Sequence, residues 1–184
     1  MEMTVLRAVE VTPAEAAELI HHELLQAAQA LEAANLDATL DGYVRALGLG
    51  LQVGPAAAEQ VLVAVLQASR QLALRQDAAG CHRCPPVDAP TVLSALGPEV
   101  VQLAKDVREA GALPDTPVMA AWATLACEVG TLIGQLGLAL SIPPSQRAGM
   151  LDNARTRAAL LDDATDNCFA LTTWLDEITS ATNQ

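Results

Sequence analysis

Aromatic residues are almost missing from this sequence of 184 residues, which contains two tryptophans, one tyrosine and one phenylalanine. Isoleucine is also scarce, whereas alanine and leucine dominate an apolar fraction of 52%. Strands favour β-branched and aromatic residues, while helices favour alanine, leucine, glutamate, glutamine and arginine. The composition therefore predicts an all-α protein, and a chain of this length fits a single domain over residues 1–184.

Positive charge is in short supply as well. Lysine occurs only as Lys105, the nine arginines are scattered between Arg7 and Arg157, and the net charge is −12. A nucleic-acid surface needs clustered lysines and arginines to neutralise phosphates, and single strands need exposed aromatic residues on which bases stack. The sequence therefore predicts no direct nucleic-acid binding. Its acidic faces are better suited to a basic protein partner.

The sequence also shows no secretory signal. Residues 1–11, which we interpret as an N-terminal arm, contain Glu2 and Glu10 and no basic stretch followed by an apolar run. Four cysteines without such a signal are typical of reduced thiols rather than of a disulfide framework. We therefore expect a cytoplasmic protein.

Prolines and polar caps mark where helices begin. Thr12-Pro13-Ala14-Glu15 has the residues of a capping box, with proline in the first turn, where a missing N–H removes no helical hydrogen bond. The same logic applies at Gly54-Pro55, Gly97-Pro98 and Thr116-Pro117. We predict a bundle of five to six helices near residues 13–34, 37–48, 55–76, 98–110, 117–140 and 144–180, with a short helical segment at 90–96. A loop over residues 77–89 is the longest break.

The predicted C-terminal helix, which ends near Ser180, is the longest. Its expected buried stripe consists of Leu151, Ala154, Ala158, Leu161, Thr165, Cys168, Leu171, Leu175 and Ile178. Such a length is unusual for a globular helix. It predicts either a surface on which the shorter helices pack or one half of a dimer seam.

The helix predicted at 117–140 is apolar and, at ~20 residues, about long enough to cross a bilayer. Glu128 and Gln135 lie near its middle, and no lysine or arginine flanks it closely, which disfavours a membrane span. We therefore predict a buried core helix and no membrane partner. Gly130 and Gly134 give this helix a GxxxG spacing, which lets a neighbouring helix approach closely.

Cys81-His82-Arg83-Cys84 is the sharpest local motif and lies among glycine and proline. Its two thiolates could bind one tetrahedral Zn²⁺, with His82 as a nearby nitrogen donor. A structural zinc site needs four ligands, and no second motif of this spacing occurs, because Cys127 and Cys168 are isolated on helices. We interpret the loop first as structurally neutral. Zinc binding by Cys81, His82 and Cys84 and a redox dithiol stay open as alternatives.

Other patterns are incomplete. Glu18 and His21 have the Glu-x-x-His spacing of di-iron bundles, but a second such pair is missing. Asp162, Asp163 and Asp166 make the last helix acidic, which is typical of a solvated face, with docking of a basic partner as the alternative. No phosphate-binding loop, nucleophile elbow or zinc-protease motif occurs. We therefore assign no catalytic or cofactor-binding residue and lean away from an enzyme.

Without a catalytic constellation, we expect a non-enzymatic interaction or regulatory module that acts as a homodimer through its helix faces. The alternative is a small-ligand or metal-binding helical bundle in which the loop of Cys81 and Cys84 contributes ligands or gates a pocket. An enzyme that uses a cavity of acidic residues ranks third.

Overall fold

The computed structural model describes residues 12–75, 88–111, 113–114 and 116–182. Within these ranges the chain forms seven α-helices, one 3-10 helix and no strand, which confirms the all-α class and slightly exceeds the predicted number of helices. The helices are α1 (Pro13–Glu32), α2 (Leu36–Val53), α3 (Pro55–Arg75), α4 (Ala89–Glu109), α5 (Thr116–Ser141), α6 (Ala148–Ala164) and α7 (Leu171–Thr182). The 3-10 helix, Pro144–Gln146, connects α5 to α6.

The predicted capping box at the start of α1 is confirmed. The Glu15 amide donates to the Thr12 hydroxyl at 3.3 Å, and the Glu15 carboxylate accepts from the Thr12 amide at 2.8 Å. Hydrogen bonds from the Thr12 amide and then its hydroxyl lower the pKa of Glu15. At the start of α2, which lies one residue before the predicted start at 37, the cap is Asn35, which accepts from the Ala38 amide at 3.3 Å.

Helix α2 does not end at Gly48, where the sequence suggested a break, but continues through Gly50 to Val53. Both glycines are buried in the structure. A Cβ atom on Gly50 would lie only 3.1 Å from the Ala57 carbonyl oxygen. The glycine at this position therefore serves a close approach of α3 and not a turn.

The expected break at Gly97-Pro98 is wrong, because α4 is one helix from Ala89 to Glu109 with Pro98 inside it. Proline in a helix interior removes one hydrogen bond and crowds the preceding turn. Here the ring is exposed, and the buried face continues on both sides of it through Leu96 and Val100. Burial of that continuous face offsets the local cost of the proline.

Glycines bring α4 and α5 into backbone contact. A Cβ atom on Gly97 would lie 2.5 Å from the Gly130 carbonyl oxygen, and one on Gly137 would lie 2.5 Å from the Ser94 amide nitrogen. The predicted GxxxG contact of Gly130 and Gly134 with a neighbouring helix is therefore confirmed, and the neighbour is α4. Van der Waals contact between the backbones fixes α5 against the rest of the bundle.

The long C-terminal helix of the prediction is wrong, because the chain breaks after Ala164 and resumes as α7 at Leu171. Three residues in the connection have left-handed backbone: Asp166 (φ 49°), Asn167 (φ 59°) and Ala170 (φ 48°). Aspartate and asparagine tolerate this conformation better than most residues. A consequence is that Cys168, expected on the buried stripe, is exposed.

The buried apolar side chains form one continuous cluster, and all seven α-helices of the described chain contribute to it. The most apolar segment of α3 lies inside this cluster, with Val61, Leu62, Val65 and Leu66 buried. Trp174 of α7 is buried too, and its indole N–H donates to the Leu66 carbonyl oxygen at 2.9 Å. Trp122 is partly buried and meets Phe169 edge to face at 6.2 Å.

Candidate functional site

The residues predicted as metal ligands, Cys81, His82 and Cys84, lie outside the described residues, as do the N-terminal arm at 1–11 and all of the predicted loop except Asp88 and Ala89. The two described cysteines are free and far from any cluster of ligands: Cys127 is partly buried on α5, and Cys168 is exposed. No three histidine, cysteine, aspartate or glutamate side chains in the described ranges lie close enough together to hold a metal ion. The zinc hypothesis stays a prediction.

The acidic residues of the predicted last helix have unequal roles. Asp162 is partly buried, and its two carboxylate oxygens accept from the backbone amides of Leu171 (2.7 Å) and Thr172 (2.8 Å). It therefore caps the N-terminus of α7, where backbone N–H groups lack helical partners. Asp163 and Asp166 are exposed. Only these two remain available as the solvated acidic face.

One face of α5 is left partly uncovered between α4 and α6. We call it the α5 stripe, and it consists of residues spaced at three and four: Ala121, Thr124, Glu128, Thr131, Gln135 and Leu138. Leu138 is 53% exposed. Helix α5 is also long and apolar enough to cross a membrane by length and composition, and 56% of its most apolar window is buried within the protein. An apolar core helix thus carries a face that the described residues cover only in part.

The threonines of the α5 stripe offer few polar groups to solvent. The Thr124 hydroxyl donates to the Ala120 carbonyl oxygen at 2.9 Å, and the Thr131 hydroxyl donates to the Cys127 carbonyl oxygen at 2.8 Å. Hydroxyls that donate to their own helix have no hydrogen left for another acceptor. The two threonines of the α5 stripe can therefore only accept hydrogen bonds from outside.

An open cleft of about 440 Å³ lies between α5 and α6, beside the α5 stripe. It is lined by Glu128 and Gln135 of α5 and by Asn153, Thr156, Arg157, Leu160 and Leu161 of α6. Glu128 and Arg157 form an ion pair across it, with 39% and 35% of their side chains exposed. Leu160 is 67% exposed. The cleft thus combines paired charges, two amides and aliphatic surface.

Gln135 leaves one polar atom without a partner. Its side-chain oxygen is buried and accepts no hydrogen bond from any described residue. A buried amide oxygen without a donor loses the hydrogen bonds that it makes to water in the unfolded chain. Gln135 itself is one of the residues that line the cleft.

Charged residues lie near Cys127 and near the cleft. Burial raises the pKa of the Cys127 thiol on α5, and Glu128 adds to the effect, while the positive charges of Arg108 and Lys105 oppose it. Both of these cations belong to α4, although the chain as a whole is strongly acidic. Two of the charged residues nearest the cleft, Glu128 and Arg157, neutralise each other.

Comparison with known protein families, with curated proteins and with solved structures gives no match to this chain. The site therefore has to be interpreted from its own geometry. Sequence reasoning noticed Glu128 and Gln135 as the two polar residues in the middle of an apolar helix, and their spacing of seven already places them on one face. It missed Arg157, Leu138 and Leu160, because their exposure depends on how α6 packs on α5.

Proposed function

We propose that this protein is a non-enzymatic interaction or regulatory module of the cytoplasm, and that it acts as a homodimer through the α5 stripe. The observation that carries the proposal is the incompletely covered face of an otherwise buried helix, on which Leu138 is 53% exposed, while Leu160 of the adjacent α6 is 67% exposed. Contiguous exposed apolar surface is typical of protein interfaces. The break between α6 and α7 removes the long helix as a seam, so α5 takes that place in the proposal.

Charge favours a second copy of the chain as the occupant of this face. Two molecules that each carry a net charge of −12 repel each other, and the repulsion is smallest where the contact surface is neutral. The only charged residue of the α5 stripe is Glu128, and it is paired with Arg157. A basic partner would instead be drawn to the acidic faces elsewhere, such as that of Asp163 and Asp166.

The test is sedimentation velocity on the wild-type protein and on the variant Leu138→Arg. We expect the wild type to be a dimer at roughly 50 µM, which is far above a Kd of ~1 µM. The added charge in Leu138→Arg places two like charges in the contact, and the variant should sediment as a monomer with an unchanged circular dichroism spectrum. Leu25→Arg is the matched control, because Leu25 is 48% exposed on α1 and should leave the dimer intact.

The salt dependence gives a second measure of the same proposal. Raising the salt concentration from 50 mM to 500 mM shortens the Debye length from about 14 Å to about 4 Å. The repulsion between two acidic molecules is then screened, so the Kd of the dimer should fall. A wild type that is a strict monomer, or a dimer that Leu25→Arg and Leu138→Arg weaken equally, would contradict the proposal. A dimer that dissociates in high salt would point to ion pairs and to another surface.

The spacing of Cys81 and Cys84 favours a second candidate, a zinc-binding bundle with His82 as a further ligand. Elemental analysis of protein purified without chelators tests it directly. We expect one zinc per chain if the candidate holds, and loss of that zinc in the double variant Cys81→Ser and Cys84→Ser. Protein that contains no stoichiometric metal contradicts it.

A further inference from the structure

The cleft between α5 and α6 has the chemistry of a binding site for a small zwitterion. Its charged pair, Glu128 and Arg157, uses only one carboxylate oxygen and one guanidinium nitrogen for the contact between them. The second carboxylate oxygen and the other guanidinium N–H groups therefore have hydrogen-bonding capacity to spare. Both side chains are partly exposed, so a ligand can reach them.

The amides of the cleft add neutral hydrogen-bonding groups beside the charged pair. Asn153 and Gln135 both line it, and the buried oxygen of Gln135 accepts no hydrogen bond among the described residues. The side-chain amides can both donate and accept hydrogen bonds, so they add neutral polar groups to the lining. The hydroxyl of Thr156 is already bonded to the Asp152 carbonyl oxygen at 2.9 Å, so it competes little for the ligand.

The remaining lining is aliphatic. Leu160 and Leu161 form the wall that α6 contributes beyond Arg157, and Leu160 exposes 67% of its surface. Exposed leucine beside a polar pair favours a ligand that has an aliphatic part as well as charged groups. The volume of about 440 Å³ lies in the range of small-molecule sites, which is roughly 300–1,000 Å³.

Other ligand classes fit less well. A divalent cation needs several oxygen ligands, and the cleft offers a single carboxylate, Glu128. A phosphate would bring excess negative charge to Arg157 next to that same carboxylate. A purely apolar ligand would cover the ion pair and the amides without replacing their contacts to water.

We propose that the cleft binds a free aliphatic α-amino acid, with its carboxylate on Arg157, its ammonium group on Glu128, and its side chain on Leu160 and Leu161. A zwitterion matches the charges of the paired Glu128 and Arg157 without changing the net charge of the site. This inference does not rest on the homodimer, but Glu128 and Gln135 belong to both the cleft and the α5 stripe, so a dimer formed through the stripe would compete with the ligand.

The test is isothermal titration calorimetry with L-leucine as the probe, on the wild type and on the Leu138→Arg variant, so that binding is measured whether or not a dimer forms. We expect saturable binding to the monomeric Leu138→Arg variant, and equal or weaker binding to the wild type, in which a dimer would compete for Glu128. 4-Methylpentanoate, which lacks the ammonium group, and 3-methylbutylamine, which lacks the carboxylate, should each bind about tenfold more weakly or worse, since each loses a charge-assisted contact. Glycine, which lacks the aliphatic side chain, should also bind more weakly.

Arg157→Gln and Glu128→Gln should each weaken leucine binding about tenfold or more. Arg155→Gln is the matched control, because Arg155 lies on the same helix but donates to Asp176 of α7 at 2.7 Å and does not line the cleft. Thermal unfolding of each variant checks that α6 stays folded. A leucine concentration of ~10 mM would nearly saturate even a weak site with a Kd of ~1 mM. Absence of any heat of binding at this concentration would overturn the proposal. Equal losses in Arg155→Gln and Arg157→Gln, or equal binding of leucine and 4-methylpentanoate, would overturn it as well.

Discussion

Replacing Gly97 with alanine places a methyl group between two helix backbones. The added Cβ would lie 2.5 Å from the carbonyl oxygen of Gly130, 2.5 Å from the amide nitrogen of Gly134 and 2.6 Å from the Gly134 Cα atom. All of these atoms belong to backbone, so no change of rotamer relieves the overlap. Helix α4 has to move away from α5, and the contacts between the two helices loosen as a result.

Two opposing effects set the size of this change. Alanine is favoured over glycine inside a helix by about 1 kcal/mol. Overpacking of a close-packed core costs about 1–3 kcal/mol and more where backbone has to shift. Because the overlap at Gly97 involves the backbone of both helices, we expect it to dominate. The free energy of unfolding should fall by about 2 kcal/mol, which lowers the Tm by roughly 4–8 °C in a chain of this size.

Urea unfolding followed by circular dichroism measures the effect as a lower midpoint at an unchanged m-value. Gly134→Ala is the matched control on the facing helix. A Cβ at Gly134 meets only the Pro98 Cδ atom at 3.6 Å and the Gly97 Cα atom at 3.8 Å, which are ordinary contacts. This variant should therefore be unchanged or up to ~1 kcal/mol more stable. Equal destabilisation by the two substitutions, or none by Gly97→Ala, would refute the close crossing.

Three further predictions concern single side chains. Asp162→Ala should lower the free energy of unfolding by about 1–2 kcal/mol in urea titrations, because the cap of α7 is lost, whereas Asp163→Ala at an exposed position should change little. Burial, the hydrogen bond to Glu59 and the charge of Glu59 raise the pKa of the Cys168 thiol. Glu59→Gln should therefore speed the alkylation of Cys168 at pH 8. Mass spectrometry measures this rate relative to the alkylation of the other cysteine-containing peptides. Burial raises the pKa of Tyr43, the only tyrosine in the sequence. An ultraviolet titration should therefore give a midpoint above the unfolded value of about 10. The contribution of the buried phenol to stability should be lost as the pH rises through the folded pKa.

The helix starts were predictable because their signals are local. The capping box at Thr12 and the proline at Pro55 act within one turn, and the structure places helix starts at both. Pro98 misled the prediction because the signal at that position is overridden by packing. Proline at this position favours a helix start locally, but the buried face spans all of α4. The free energy gained by burying that whole face exceeds the local cost of the proline.

The break between α6 and α7 was hidden for the opposite reason. No glycine or proline marks it, and the apolar spacing continues through it, so local patterns favour one long helix. The break depends on Asp162, which reaches the amides of Leu171 and Thr172 and starts a new helix there. A single sequence does not show that a carboxylate nine residues away replaces the usual neighbouring cap.

Only part of the candidate site could be predicted from the sequence, because the site forms between two helices. Glu128 and Gln135 stood out as polar residues in an apolar helix, and their common face followed from helical periodicity. Their partner Arg157 lies 29 positions from Glu128, and nothing in the spacing joins the two. The pairing follows from the fold of the α5–α6 hairpin and from the 3-10 turn that closes it.

The distribution of buried and exposed residues on α6 differs from that of a typical amphipathic helix. Its fully buried residues are the small Ala154 and Ala158, whereas Leu160 is 67% exposed. A helix shaped only for burial places leucine inward and alanine outward. Helix α6 thus leaves part of α5 exposed, and both the cleft and the α5 stripe lie along that boundary. Departures from the folding pattern are expected where a surface is used for function, so the two proposals have a common physical origin in the packing of α6.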